Sequence, residues 1–209
     1  MYLFSRRRRL NPAHGRKAAA FAIDIGHRAR EISGLDVSVW TTVLSADAGV
    51  VSWVAMVEHM SDLETGMDKL AVDGMFNDLV EQNDGLFVGP LSDTLAQVVS
   101  GLPDANATPP SWATMVQATC TNGHLAAGMA GGVEIAEAAT RIGGLRTMFL
   151  AGTTGEFGSV AWITGASSLA ELDESGQRVN GDADFIALVD RLTAAYQPQA
   201  PVTMFRRIS

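Results

Sequence analysis

The side chains that could do chemistry in this sequence are few and well separated. Four histidines are present. His14 in "NPAHG" and His124 in "TNGH" each stand just ahead of a stretch with helical periodicity. A loop imidazole in such a place could act as a general base or hold an anionic group. The plainer reading is polarity at a helix entry. His59 follows Glu58 at the end of an apolar run. It could transfer a proton, or ligate a haem iron through a neutral ring. Adjacent strand residues point to opposite faces, so Glu58 does not directly support it. His14, His59 and His124 are therefore the candidate catalytic residues, while His27, beside Arg28 on a polar helix face, reads as exposed.

Other chemistries find little support. Cys120 is the only cysteine, so neither an intrachain disulfide nor a cysteine cage for a metal can form. It reads as a small buried residue rather than a nucleophile. Zinc takes three or four His, Cys or carboxylate ligands, and no dense cluster of them occurs, so no metal is expected. Neither a phosphate-binding P-loop nor a dinucleotide glycine fingerprint is present. "AGMAGG" lies within a helical stretch, where it permits close packing, and "ITGASS" lacks the pattern of a nucleophile elbow.

Two further groups stand out. The first thirty residues hold eight arginines and lysines against one acid, Asp24, in a chain of formal charge -8. Arg6 and Arg8 of the run "RRRR" are candidate anion-binding residues, or a solvated strand end. Trp40, Trp53, Trp112 and Trp162 fall on apolar, strand-like stretches. They either line an apolar ligand pocket or fill a core.

These residues are positioned by elements that the chain writes twice. A shift of 109 positions lays Val51 on Val160, Trp53 on Trp162, Leu63 on Leu172, Asp73 on Asp182 and Phe76 on Phe185. Upstream, a shift of 110 lays His14 on His124, Ile32 on Ile142 and Gly34 on Gly144. The expected organisation is a first repeat over 1–100, a linker over 101–110 ("GLPDANATPP") and a second repeat over 111–209.

Each repeat reads as strand, helix, strand, strand, helix, strand. The periodicity predicts helices over Gly15–Ser33 and His124–Ile142, each stopped by a glycine. A capping box at Ser61 and Glu64 is expected to open the second helix of the first repeat, and a single helix is expected from about Ala170 to Ala195. "LDVSVWTTVL" and "GVVSWVAMVEHM" read as strands. This βαββαβ order is the ferredoxin-like split βαβ motif. It leaves one sheet face bare, and two copies would bury it by packing sheet to sheet.

On that repeat and element order the chain resembles the dimeric α+β barrel superfamily, over nearly its whole length. The resemblance implies an α+β fold, with two ferredoxin-like repeats forming a barrel and helices outside. It implies a range of functions. One is binding or converting a small apolar organic molecule inside the barrel, as in cofactor-free monooxygenases and EthD-like proteins. Another is haem binding, as in chlorite dismutases and dye-decolourising peroxidases; otherwise no cofactor is expected. A third reading is a non-catalytic accessory protein that self-assembles through sheet edges, and a homo-oligomer is expected on those grounds.

Composition sets the remaining bounds. At 209 residues, 47% hydrophobic and 18% charged, the chain can bury a sizeable core. Its negative charge argues against nucleic-acid and membrane-surface partners. No apolar run approaches the roughly 18 residues of a membrane span, and the N-terminus lacks the apolar stretch of a secretory signal, so a cytoplasmic protein is expected.

Overall fold

The structure is a computed structural model that describes residues 1–83, 85–104 and 107–209. Ala105 and Asn106 of the expected linker lie outside the described residues. The first half contains β1 (Tyr2–Leu10), α1 (Gly15–Ser33), β2 (Ser38–Val43), β3 (Val50–Val57), α2 (Met60–Val72), α3 (Gly74–Glu81) and β4 (Phe87–Ser100). The second contains β5 (Trp112–Thr119), α4 (Leu125–Gly143), β6 (Thr147–Gly152), β7 (Ser159–Ala166), α5 (Leu169–Gly181), α6 (Ala183–Arg191) and β8 (Val202–Arg207). The fold is α+β, and the eight strands form a closed antiparallel barrel in the hydrogen-bonded order β1-β3-β2-β8-β5-β7-β6-β4. Closure of this order gives every strand two hydrogen-bonded neighbours. It also removes free sheet edges, so the edge-strand reason for self-association falls away.

The first helix of each repeat forms where its pattern places it. In α1 the buried positions Ala18, Ala22, Gly26, Ala29 and Ser33 keep one helical face. Gly34 ends it at φ 77°, its N–H donating to the Arg30 carbonyl; Gly144 ends α4 at φ 76° and donates to the Thr140 carbonyl. A left-handed residue is needed there, and glycine adopts it without strain.

The second helix of each repeat departs from expectation by breaking in two. Asp73 and Asp182 take extended backbone, and their carboxylates accept the Phe76 and Phe185 N–H groups, each at 2.8 Å. Aspartate competes for backbone donors in this way, ending one helix and capping the next. The capping residue of α2 is also His59 rather than Ser61: Asp62 reaches back to accept the His59 N–H at 2.9 Å. At the equivalent place in the second repeat Glu171 accepts the Ser167 N–H at 2.9 Å, and Ser168 accepts the Glu171 N–H.

By contact density the chain divides into Met1–Leu95 with Arg206–Ser209, and Ala96–Phe205. The boundary thus falls inside β4, ahead of the expected linker. Residues Ala96–Ser100 pair with β6, and Ile208 and Ser209 donate to the Val39 carbonyl of β2. Hydrogen-bonded pairing, not chain order, decides which unit a strand end joins.

In the first unit the core lies between the sheet and α1. It holds Ala18, Ala22, Val39, Val51, Trp53, Leu86 and Phe87. The second unit repeats this with Ala118, Cys120, Ala136, Phe149, Val160 and Trp162. In both, a cation from the later helix closes the end of the first one. Lys69 Nζ donates to the Ser33 carbonyl at 3.3 Å, and Arg178 Nη2 donates to the Gly143 carbonyl at 2.5 Å. These pairs are equivalent under the same shifts that align the sequence.

Candidate functional site

Strand alternation decides where each arginine of the β1 run goes. In the β1–β3 pairing Arg6 lies opposite Trp53, Arg7 opposite Ser52, Arg8 opposite Val51 and Arg9 opposite Val50. Trp53 and Val51 belong to the core beneath α1, so Arg6 and Arg8 share the helix-covered face while Arg7 and Arg9 share the other.

Arg6 makes a bidentate pair with Asp93, at 2.9 and 2.8 Å. That hydrogen bond holds the guanidinium pKa above its ordinary value despite partial burial. The carboxylate that Arg6 holds here is the protein's own. Arg8 packs over the Phe87 ring, 5.0 Å from the centroid. Phe87 in turn meets Phe21 and Trp53 edge to face, at 6.1 and 6.0 Å. Arg8 is thereby anchored to the core by a cation–π contact, of order 0.5–2 kcal/mol.

Arg7, Arg8 and Arg9 line a cleft of about 310 Å3 in the first unit. Its other walls are Val50, the Val88–Pro90 segment, Ser92 and Asp47. On the face that Arg7 and Arg9 share, two guanidinium groups meet one carboxylate. Arg9 takes that carboxylate, with Nη2 3.0 Å from Asp47 Oδ1 and Nη1 3.2 Å from the Ala48 carbonyl. Asp47 is held by its backbone, whose carbonyl accepts from the Thr42 hydroxyl. Arg7 Nε and Arg8 Nε are buried and without a hydrogen-bond partner, as is the Ser52 hydroxyl directly across from Arg7. An unsatisfied buried donor costs about 1–3 kcal/mol, and more when charged. The cleft therefore combines unspent donors, net positive charge and an apolar wall. It can hold a small molecule with a polar or anionic end. Sequence reasoning missed Arg7, Arg9 and Asp47. Alternation along "RRRR" was the available signal, since it sends two of the four to each face.

The histidines are not brought to this cleft. His14 and His124 are exposed at the entries of α1 and α4, in nearly the same backbone conformation, and neither ring caps its helix. His59 is exposed at the start of α2. His27 is exposed and hydrogen-bonds Ser209 Oγ at 2.7 Å. An axial ligand to haem needs a ring facing an enclosed apolar pocket, and none of these four fits that requirement. Among the described residues no group of three or more His, Cys, Asp or Glu side chains could hold a metal ion.

The tryptophans separate by face. Trp53 and Trp162 lie beneath helices, donating to the Ala22 and Gly132 carbonyls at 2.8 and 2.9 Å. They pack within the two cores. Trp112 pairs with Ala166 and so shares the face of Trp162. Trp40 is on the face away from α1, half-buried, its indole donating to Ser38 Oγ at 2.9 Å. Among the described residues no helix is long and apolar enough to cross a membrane.

No protein-family model and no curated protein matches the sequence. Solved structures do match. A candidate monooxygenase from Fusobacterium nucleatum aligns with a TM-score of 0.73 at 7% identity, over 100% of this chain and 92% of its own. An anthrone oxidase-like protein aligns at 0.59 and 11% identity, over 100% and 91%. Chlorite dismutase from Candidatus Nitrospira defluvii, solved with imidazole, aligns at 0.52 and 13%, over 98% and 90%. At such identities the likeness is one of fold alone, that of an α+β protein with a closed eight-stranded barrel.

Proposed function

We propose that this protein binds, and in the manner of its monooxygenase-named neighbours converts, a small organic molecule, and that the arginine cleft of the first unit receives it. The observation that carries this reading is the cleft itself. It joins a buried guanidinium donor without a partner, Arg7 Nε, to a wall of Val50, Val88 and Pro90, at about 310 Å3. Ligand sites are typically concave and largely apolar, with a few placed polar groups, and range from about 300 to 1,000 Å3. The cleft is at the small end of that range, which favours a compact ligand.

The test is a thermal-shift screen of small aromatic and aliphatic compounds against the purified protein, followed by oxygen uptake for each compound that binds. A ligand present at about 100 times its Kd should stabilise the fold by about 2.7 kcal/mol, a readily measured rise in Tm. Arg7→Ala should remove the rise. A screen at millimolar concentrations that moved Tm for no compound would end the proposal.

A further inference from the structure

Resting on that reading, we infer that the ligand of the arginine cleft carries a carboxylate on a small apolar body, read by Arg7 with Ser52 across from it, and that Asp47 is its built-in competitor. Four observations converge. On the face that Arg7 shares with Arg9, the Arg7 Nε and the Ser52 hydroxyl are buried and lack partners. Arg6 and Arg9 already hold carboxylates, those of Asp93 and Asp47. The β1 arginines thus show with the protein's own acids the pairing that Arg7 lacks. The cleft also has an apolar wall at Val50, Val88 and Pro90, which a bare inorganic ion would leave uncovered. Finally, Asp47 reaches Arg9 from the exposed turn between β2 and β3, so a ligand carboxylate and the Asp47 side chain compete for one patch of positive charge.

The chemistry follows from the groups. A guanidinium presents its donors as a planar fork that matches a carboxylate in two-point fashion, and such charge-assisted bonds strengthen where water is excluded. Ser52, opposite Arg7 with a buried and unpartnered hydroxyl, adds a neutral polar group at the base of the Arg7 side chain.

The experiment is isothermal titration of the full chain with benzoate, its neutral isostere benzamide, and inorganic phosphate, at low and at physiological salt. Benzoate is expected to bind at least tenfold more tightly than benzamide or phosphate, and to weaken as salt rises. Arg7→Met, which keeps the stem and removes the charge, should lower benzoate affinity at least tenfold without changing that of benzamide. Asp47→Asn should raise benzoate affinity several-fold. Equal affinity for benzoate and benzamide in the wild-type protein would overturn the carboxylate assignment while leaving small-molecule binding intact. Phosphate binding as tightly as benzoate would overturn the apolar body. Benzoate affinity unchanged in Asp47→Asn would overturn the competitor role. The wild-type comparison requires no variant to fold. If neither benzoate nor benzamide binds while other compounds in the screen do, the carboxylate assignment alone is overturned; if nothing in the screen binds, the functional reading fails with it.

Discussion

Trp53 donates its indole N–H to the main-chain oxygen of Ala22 at 2.8 Å. The same bond recurs from Trp162 to Gly132 at 2.9 Å. The two acceptors are equivalent under a shift of 110 and the two donors under a shift of 109. Each indole ties β3 or β7 to the middle of the helix above it. The sheet and its first helix are thereby fixed in the same relation in both units, and in the first unit the tryptophan also supports Phe87, on which Arg8 rests.

Trp53→Phe removes that donor and part of the ring while leaving an aromatic body. The expected loss is about 2 kcal/mol, from the hydrogen bond and the residual void together. Urea unfolding checks it. Stability indistinguishable from wild type would mean the bond contributes nothing beyond what Phe supplies.

The two cores fill the same space with different parts. In the first unit Ala22, Gly26 and Val39 meet, and a Cβ on Gly26 would come within 2.3 Å of Val39 Cγ2. In the second, Gly132, Ala136 and Phe149 occupy the equivalent places, and a Cβ on Gly132 would come within 2.1 Å of Phe149 Cζ. Gly132→Ala is expected to cost about 1–3 kcal/mol by overpacking against a fully buried ring. The combination G132A/A136G/F149V transplants the first unit's solution. It should lie well above the sum of the three single effects in urea unfolding, as expected for residues in contact. Simple additivity would refute the idea that the two sets are alternative packings of one site.

Alkaline pH should weaken the fold through Cys120 and Tyr196. Burial pushes the Cys120 thiol up. The Tyr196 phenol is raised by burial first and by the neighbouring Cys120 second, and it donates to the Gly128 carbonyl at 2.6 Å. Both groups are acids whose folded pKa lies above the unfolded value, so the unfolded chain loses its protons first. Their contribution is complete below the unfolded thiol value, about 8.5, and is lost as pH rises past it and then past about 10, where an unfolded tyrosine ionises. Thermal unfolding between pH 7 and 11 should show Tm falling above pH 8.5, with a smaller first step in Cys120→Ala. A Tm that stayed flat to pH 11 would contradict the assignment.

Much of the architecture was legible along the chain because it rests on local periodicity. The α1 limits Gly15 and Ser33, and the glycine stops at Gly34 and Gly144, follow from apolar spacing and the one residue that takes positive φ without strain. The break in the second helices was signalled only by Asp73 and Asp182 recurring in register, with Gly74 following one of them. Helical periodicity runs straight across such a break, so spacing alone could not reveal it.

What the sequence determined by itself, then, was the doubled order of elements, since repeat register and hydrophobic period are properties of neighbours along the chain. The tertiary structure alone decided which arginines are spent. Arg6 meets Asp93 and Arg9 meets Asp47, partners 87 and 38 positions away, and Arg7 and Arg8 keep buried donors unpaired. It alone also placed Trp53 and Trp162 beneath helices. Side-chain facing alternates along a strand, but which face a helix covers, and which distant carboxylate arrives, is set by strand pairing between residues far apart in the chain.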